Sequence, residues 1–226
     1  MFRNPLIVAA DTEDPDQAET WAKELASLVS HVKVGLTLFV AAGPLAVERV
    51  RQHAPVFLDL KLHDIPKQVD GAARAAARLG PSLLTVHALG GEEMVRAAVE
   101  GAARGAEESG VEPPVILAVT VLSSVAAEGL ASPASLAFEA HSAGAGGIVV
   151  SGEDVSAVRE VVGPNVPLVV PGIRPGGQTA NDHVRVLSPG EALERGADLI
   201  VIGRPITAAP DPAAAARAVL REVGLA

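Results

Sequence analysis

The chain has 226 residues, a formal net charge of −9 at pH 7 and no cysteine. This length suits one large domain, the acidic balance argues against a general nucleic-acid binder, and the lack of cysteine excludes disulfides and thiolate chemistry. The N-terminus lacks the regions of a signal peptide and no run of about eighteen apolar residues occurs, so we expect a cytoplasmic protein without a membrane span.

Short apolar runs alternate with longer Ala-, Glu- and Arg-rich segments along the chain. Eight runs are predicted to be buried strands, at 6–10, 31–34, 56–60, 83–87, 115–119, 147–150, 168–170 and 199–202. The segments between and after them have helical spacing, as at 16–30, 69–79, 92–109, 133–143 and 212–220. Eight strands alternating with helices predict an α/β fold, a (β/α)8 TIM barrel forming a single domain over residues 1–226. A doubly wound open sheet is the alternative, which the strand count disfavours.

The segment at the end of the third predicted strand carries three charges in close succession. Asp59 and Lys61 stand two residues apart, so both side chains share a face with Phe57. Asp64 follows in the loop, where Pro66 stiffens the turn. Buried charges are costly unless paired, so one interpretation is a salt bridge that only fixes the strand end. We favour an active site, because parallel sheets bind ligands at the carboxyl ends of their strands.

Lysine is scarce in this chain, which makes its positions informative. Two of the four lysines, Lys33 and Lys61, lie at predicted inward positions of the second and third strands. Because lysine is rarely buried without a partner, Lys33 is either a barrel-rim residue with its ammonium in water or a member of the cluster around Asp59. The neighbouring charges favour the cluster. Asp11 directly follows the first strand and is therefore expected at the same edge of the sheet, where the carboxyl ends of the strands lie.

Glycine and arginine follow the last two predicted strands. Arg174 lies behind strand seven, and Gly203 and Arg204 lie behind strand eight. TIM barrels often hold phosphate in these two loops, where glycine lets backbone N–H groups approach an anion and arginine binds it bidentately. Gly203 and Arg204 alone also fit an ordinary strand-to-helix turn. With Arg174 on the neighbouring loop, phosphate is the better interpretation.

Two loops on the predicted catalytic face are long, at 120–131 and 172–189. Long loops in compact domains are usually functional or disordered. No motif with metal-ligand spacing occurs, and Lys61 between Asp59 and Asp64 opposes a cation there. We therefore expect neither a metal nor another cofactor.

Together these motifs resemble the orotidine 5′-phosphate decarboxylase family along the whole chain. The matching segments are Asp59-x-Lys61-x-x-Asp64-Ile65-Pro66, Lys33 on strand two, Thr120-Val121-Leu122-Ser123, Pro171-Gly172-Ile173-Arg174 and Gly203-Arg204. The resemblance implies that a Lys-Asp-Lys-Asp tetrad does the chemistry, and its members here are Lys33, Asp59, Lys61 and Asp64. It also implies a homodimer in which Asp64 reaches into the active site of the partner subunit.

The resemblance further implies which residues bind substrate. Asp11 corresponds to a ribose contact, Ser123 to a pyrimidine contact and Arg204 to a phosphate contact. Gln68 corresponds to a ribose contact made from the partner subunit, although the family usually has Thr there. His183 corresponds to a phosphate contact, although the family often has Gln there. The remaining substrate-binding candidates are Thr120, Arg174 and Gly203.

The implied reaction is loss of CO2 from orotidine 5′-phosphate to give UMP in de novo pyrimidine biosynthesis, without metal and with Lys61 as proton donor. One alternative shares the barrel and the Asp-x-Lys-x-x-Asp motif: the sugar-phosphate enzymes related to keto-gulonate-phosphate decarboxylase, which use magnesium. The His63-Asp64-Ile65-Pro66 continuation and the Pro-Gly-Ile-Arg loop favour the pyrimidine enzyme. A second alternative is an inactive barrel that only binds nucleotides, which the intact tetrad disfavours.

Overall fold

The computed structural model describes residues 4–121, 131–177 and 187–225, and within them eight parallel strands close into a barrel. The strands are β1 (Leu6–Ala9), β2 (His31–Gly35), β3 (Val56–Leu62), β4 (Leu83–His87), β5 (Val115–Val119), β6 (Gly147–Val149), β7 (Leu168–Pro171) and β8 (Leu199–Ile202). Each pairs with the next along the chain, and β8 closes on β1. The predicted TIM barrel is confirmed. Among the strands the largest difference is at β3, which continues to Leu62 rather than ending at residue 60, and the helix predicted at 16–30 ends at Leu25.

Helices surround the barrel. They are α1 (Pro15–Leu25), α2 (Leu36–Ala42), α3 (Pro44–Arg51), α4 (Pro66–Ala77), α5 (Gly91–Ser109), α6 (Pro133–Ser142), α7 (Val155–Val162), α8 (Pro189–Glu194), α9 (Arg204–Thr207) and α10 (Pro212–Glu222), with short 3₁₀ turns at Ala88–Gly90 and Pro175–Gly177. Several begin with proline in the first turn behind a side chain that accepts a hydrogen bond from a first-turn N–H, as Asp14 and Asp211 do. No helix in the described ranges is long and apolar enough to cross a membrane.

The core has two layers because strand side chains alternate. In β1, Leu6 and Val8 pack outward against the helices, whereas Ile7 and Ala9 point into the barrel. The inner cluster consists of Ile7, Ala9, Phe57, Leu83, Leu117, Val119, Val149, Val169, Leu199 and Val201. The same alternation places polar residues inside the barrel at the carboxyl ends of β2, β3 and β4. These are the positions where a parallel barrel binds its ligands.

Helices α4 and α5 pack closely because glycine lies between them. A Cβ added to Gly101 would lie 2.3 Å from the Asp70 carbonyl oxygen, and one added to Gly105 would lie 2.1 Å from that of Arg74. Both distances are far below contact, so neither position has room for a side chain. This packing fixes α4, which begins directly after the loop that carries Asp64.

The amino-terminal end of the barrel interior also holds a polar residue. His31 begins β2 and is only 6% exposed. Burial lowers the pKa of its imidazole to about 4, because desolvation disfavours the charged form. His31 is therefore uncharged at neutral pH and belongs to the packing of the barrel floor.

Candidate active site

A charged cluster lies at the carboxyl ends of β2 and β3. The Lys61 ammonium donates to both carboxylate oxygens of Asp59, at 2.8 and 2.9 Å. The Lys33 ammonium lies 3.0 Å from the Asp11 carboxylate and 3.7 Å from that of Asp59. Two lysines therefore flank a single largely buried carboxylate, and Asp11 provides the second negative charge at the rim.

The end of β3 departs from regular strand geometry at Lys61. Leu58 pairs with Leu84, but the next paired residues are Leu62 and Val86, so the register shifts in between. Lys61 has φ +50°, the left-handed region that non-glycine residues seldom adopt. Such strain is typical of functional sites, where the surrounding structure holds the residue in place. Despite the bulge, the predicted meeting of Asp59 and Lys61 is observed.

The cluster borders a cavity of ≈190 Å³ with largely apolar walls. Asp59, Lys61 and Lys33 line one side, and Phe57 and valines of β5, β6 and β8 line the others. An ammonium beside apolar walls interacts strongly with a negative charge placed there, because little water screens it. Both oxygens of Asp59 are bound by Lys61, and in the described ranges no three His, Asp or Glu side chains cluster in a way suited to a metal ion.

A second cavity of ≈250 Å³ lies beside the first. Its polar lining comes from Asp11 and Lys33 on one side and from Arg174 and Arg204 on the other, with Gly203 between the last strand and α9. Three cationic side chains make this cavity suited to an anion. Lys33 lines both cavities and therefore connects the predicted phosphate site to the Asp59–Lys61 pair.

Asp64 and Gln68 are not part of this cluster within one chain. Asp64 is exposed, and one of its carboxylate oxygens accepts the Ile65 N–H at 2.6 Å. Among the described residues, Asp64 forms no ion pair with Lys61. Gln68 is exposed in the first turn of α4.

Thr120 is placed differently from the other substrate-binding candidates. It is fully buried, and its hydroxyl donates to the Val149 carbonyl at 3.3 Å. On this stretch of chain, Val119 and Val121 line the first cavity. Ser123 and His183 lie outside the described residues.

Two histidine rings stand next to Lys61. His87 ends β4 and lies against His63, with ring centroids 5.2 Å apart. The pKa of His87 is lowered, first by burial and then by the neighbouring His63 and Lys61. Its Nδ1 has no hydrogen-bond partner in the described part of the chain. His87 is therefore uncharged at neutral pH and forms part of the wall beside the lysine.

Thr85 is a site residue that the sequence motifs did not identify. It is fully buried in the middle of β4, and its hydroxyl contacts both Asp59 and the Lys61 backbone. A signal was present, because Thr85 lies two residues from inward-facing Leu83 and is therefore directed into the barrel. Its partner Asp59 lies on another strand, and the type of residue at position 85 does not reveal that contact.

The chain resembles known proteins along almost its whole length. The family model described as "Orotidine 5′-phosphate decarboxylase / HUMPS family" matches residues 4–219. A relative from Anaeromyxobacter dehalogenans named orotidine 5′-phosphate decarboxylase is 55% identical over 213 residues, which is 89% of this chain and 90% of the relative. A second relative of the same name, from Thermobifida fusca, is 48% identical over 231 residues, which is 97% of this chain and 95% of the relative. The crystal structure of orotidine 5′-phosphate decarboxylase from Lactobacillus acidophilus has a TM-score of 0.82 and 36% identity, covering 98% of this chain and 99% of that one.

Proposed function

Because the chain belongs to the orotidine 5′-phosphate decarboxylase / HUMPS family, we propose that it is a carboxy-lyase that converts orotidine 5′-phosphate to UMP and CO2 in de novo pyrimidine biosynthesis. The observation that carries this proposal is the Lys61 ammonium, held on Asp59 at the wall of an apolar cavity that adjoins a basic one. The apolar cavity suits the pyrimidine, and the basic one suits ribose 5′-phosphate. The proposal places this activity in the cytoplasm.

The chemical step needs a cation and a proton donor at one carbon. The bond between C6 and the carboxylate breaks, CO2 leaves, and the electron pair stays on C6. No adjacent carbonyl delocalises this charge, so a preorganised cation has to stabilise it. Lys61 supplies the cation and then transfers one ammonium proton to C6, after which the amine regains a proton from solvent. The step as proposed uses no metal and no cofactor.

The other residues orient the substrate and the lysine. Asp59 holds the Lys61 ammonium through both carboxylate oxygens, and Lys33 links Asp59 to a ribose hydroxyl. Asp11 binds the ribose, and Arg204 binds the phosphate. The further ligand contacts in this proposal are Arg174, Gly203, Thr120, Ser123, Gln68 and His183.

We further propose a homodimer in which Asp64 completes the partner's site. Asp64 is exposed and, among the described residues, forms no ion pair with Lys61 of its own chain, while the adjacent Ile65 is 63% exposed. Helix α2, which directly follows β2, exposes Leu36 and Val40 at 52% and 81%. Large exposed apolar side chains beside an incomplete site favour burial against a second copy.

The direct test is turnover of orotidine 5′-phosphate with and without chelator. We expect release of CO2 and formation of UMP at the same rate before and after exhaustive treatment with EDTA. A strict magnesium requirement together with activity on a keto-sugar phosphate would move the chain to the sugar-phosphate enzymes. Nucleotide binding without turnover would instead support the alternative of an inactive barrel that only binds nucleotides.

Arg204→Ala tests the phosphate site. If phosphate binding also assists the chemical step, Arg204→Ala should lower kcat as well as raise KM. In that case kcat/KM should fall by about 30- to 5,000-fold, the equivalent of the roughly 2–5 kcal/mol lost when a charge buried on substrate binding loses its partner. Residues 178–186 of the long loop behind β7 lie outside the described residues. An anchoring role alone would raise KM and leave kcat unchanged. Steady-state kinetics with orotidine 5′-phosphate separate the two cases.

Orotidine, which lacks the phosphate, is the matched control substrate. The unmodified protein should convert it poorly, and Arg204→Ala should convert it about equally well because there is no phosphate to bind. An equal loss of activity toward both substrates would mean that Arg204 supports the barrel and not the phosphate.

A further inference from the structure

Thr85 joins the two partners of the central ion pair. Its Oγ1 donates to the Asp59 carboxylate at 2.9 Å and accepts the Lys61 backbone N–H at 2.8 Å. The residue is fully buried in β4, the strand next to β3. One hydroxyl therefore contacts both the acid that holds the lysine and the backbone from which the lysine projects.

The bulge in β3 explains why a side chain makes this contact. Between the pairs Leu58–Leu84 and Leu62–Val86, three residues of β3 stand opposite Thr85 alone. Regular parallel pairing is interrupted there, and Lys61 turns to φ +50°. The Lys61 N–H donates to the Thr85 side chain, so the bulge is closed by a hydroxyl.

The directions of the two hydrogen bonds follow from the chemistry of the groups. A backbone N–H only donates and an ionised carboxylate only accepts. The single Thr85 proton is directed to Asp59, and an oxygen lone pair accepts the Lys61 N–H. Serine offers the same donor and acceptor. Valine has nearly the same shape and offers neither.

We propose that Thr85 is a positioning residue for the decarboxylation, because its hydroxyl holds the Lys61 backbone in the left-handed conformation and the Asp59 carboxylate under the Lys61 ammonium. This inference rests on the proposed function for its kinetic consequence. The Lys61 side chain is 30% exposed and its ammonium is bound by both carboxylate oxygens of Asp59, so the hydroxyl and Asp59 set where its proton is delivered. Small displacements of a reacting group are costly in rate.

The experiment compares Thr85→Val, which removes the hydroxyl at nearly constant volume, with Thr85→Ser, which keeps it. We expect Thr85→Val to lower kcat about 10- to 100-fold, as for a hydrogen bond to a charged group, with KM and UMP affinity changed less than about threefold. Thr85→Ser should stay within about threefold of the unmodified protein in kcat. Thr20→Val is the matched control, since it removes an exposed hydroxyl that bonds the Asp16 carbonyl on α1 and should leave kinetics unchanged.

Amide hydrogen exchange at Lys61 tests the positioning independently of activity. Exchange should accelerate in Thr85→Val and stay slow in Thr85→Ser, because among the described residues the Thr85 hydroxyl is the acceptor for this N–H. Thr85→Ala serves as the second variant that lacks the hydroxyl if Thr85→Val does not fold. An unchanged kcat in a folded hydroxyl-free variant, or a loss confined to KM, would overturn the inference.

The two proposals fail in different ways. If the unmodified protein does not convert orotidine 5′-phosphate, the proposed function fails whatever Thr85 does. If it converts the substrate but Thr85→Val matches it in kcat and in Lys61 exchange, only the role of Thr85 is lost.

Discussion

Lys61→Ala is expected to abolish turnover while leaving the barrel folded. The variant loses the proton donor, which alone costs about 10²–10⁴-fold. It also loses the cation beside C6, and removing one preorganised electrostatic contact costs about 10²–10³-fold more. The fold should tolerate the change, because the side chain is partly exposed and Asp59 keeps the Lys33 ammonium at 3.7 Å. Steady-state assays of UMP formation and a thermal melt provide the two measurements.

Lys23→Ala is the control for this change. Lys23 is exposed in the last turn of α1, so the same substitution there should leave both activity and melting temperature unchanged. UMP should still bind to Lys61→Ala with near-normal affinity, since UMP carries no carboxylate at C6. A folded Lys61→Ala protein with near-normal activity would refute the proposed mechanism.

The barrel could be predicted because its signals are local. Each strand is a short apolar run, each helix has helical spacing, and the order alone implies a parallel sheet. The end of a strand is harder to predict from the sequence where its pairing with the neighbouring strand is irregular. Residue 60 was the predicted end of β3, but the chain continues through the bulge to Leu62, because β4 supplies a side-chain partner for Lys61.

The central ion pair could be predicted for the same reason. Asp59 and Lys61 are two residues apart, so alternation brings them to one face, and the structure places the ammonium on both carboxylate oxygens. The left-handed conformation of Lys61 could not be predicted from the sequence, because lysine has no preference for that conformation.

Contacts between residues that lie far apart in the sequence were harder to predict. Thr85 looks like an ordinary buried strand residue until β4 is set against the bulge in β3, and that register depends on the closed barrel. The Thr120 hydroxyl donates to the Val149 carbonyl, a contact that the motif does not reveal, and substrate binding by Thr120 stays a prediction. A sequence motif identifies a position without showing which way its side chain points.

Asp64→Asn is expected to be nearly inactive by itself and to regain activity when paired with Lys61→Ala. If Asp64 acts in the partner's site, a hybrid dimer of the two variants contains one site with intact Lys61 and intact Asp64, and one site that lacks both. Co-expression with two different affinity tags isolates the hybrid, which should show about half the wild-type activity per dimer because one of its two sites is complete. The parent homodimers, assayed at the same concentration, set the background.

Two control hybrids determine how the result is interpreted. Lys61→Ala paired with the unmodified chain also contains one complete site and should reach the same half activity. Lys61→Ala paired with Asp59→Asn should stay inactive, because Asp59 and Lys61 lie in contact within one chain and every site then lacks one of them. An inactive Asp64 hybrid beside an active first control would place Asp64 in the site of its own chain. Its exposed position, with a carboxylate oxygen bound to the Ile65 N–H, would then require the loop to fold back toward Lys61 on substrate binding.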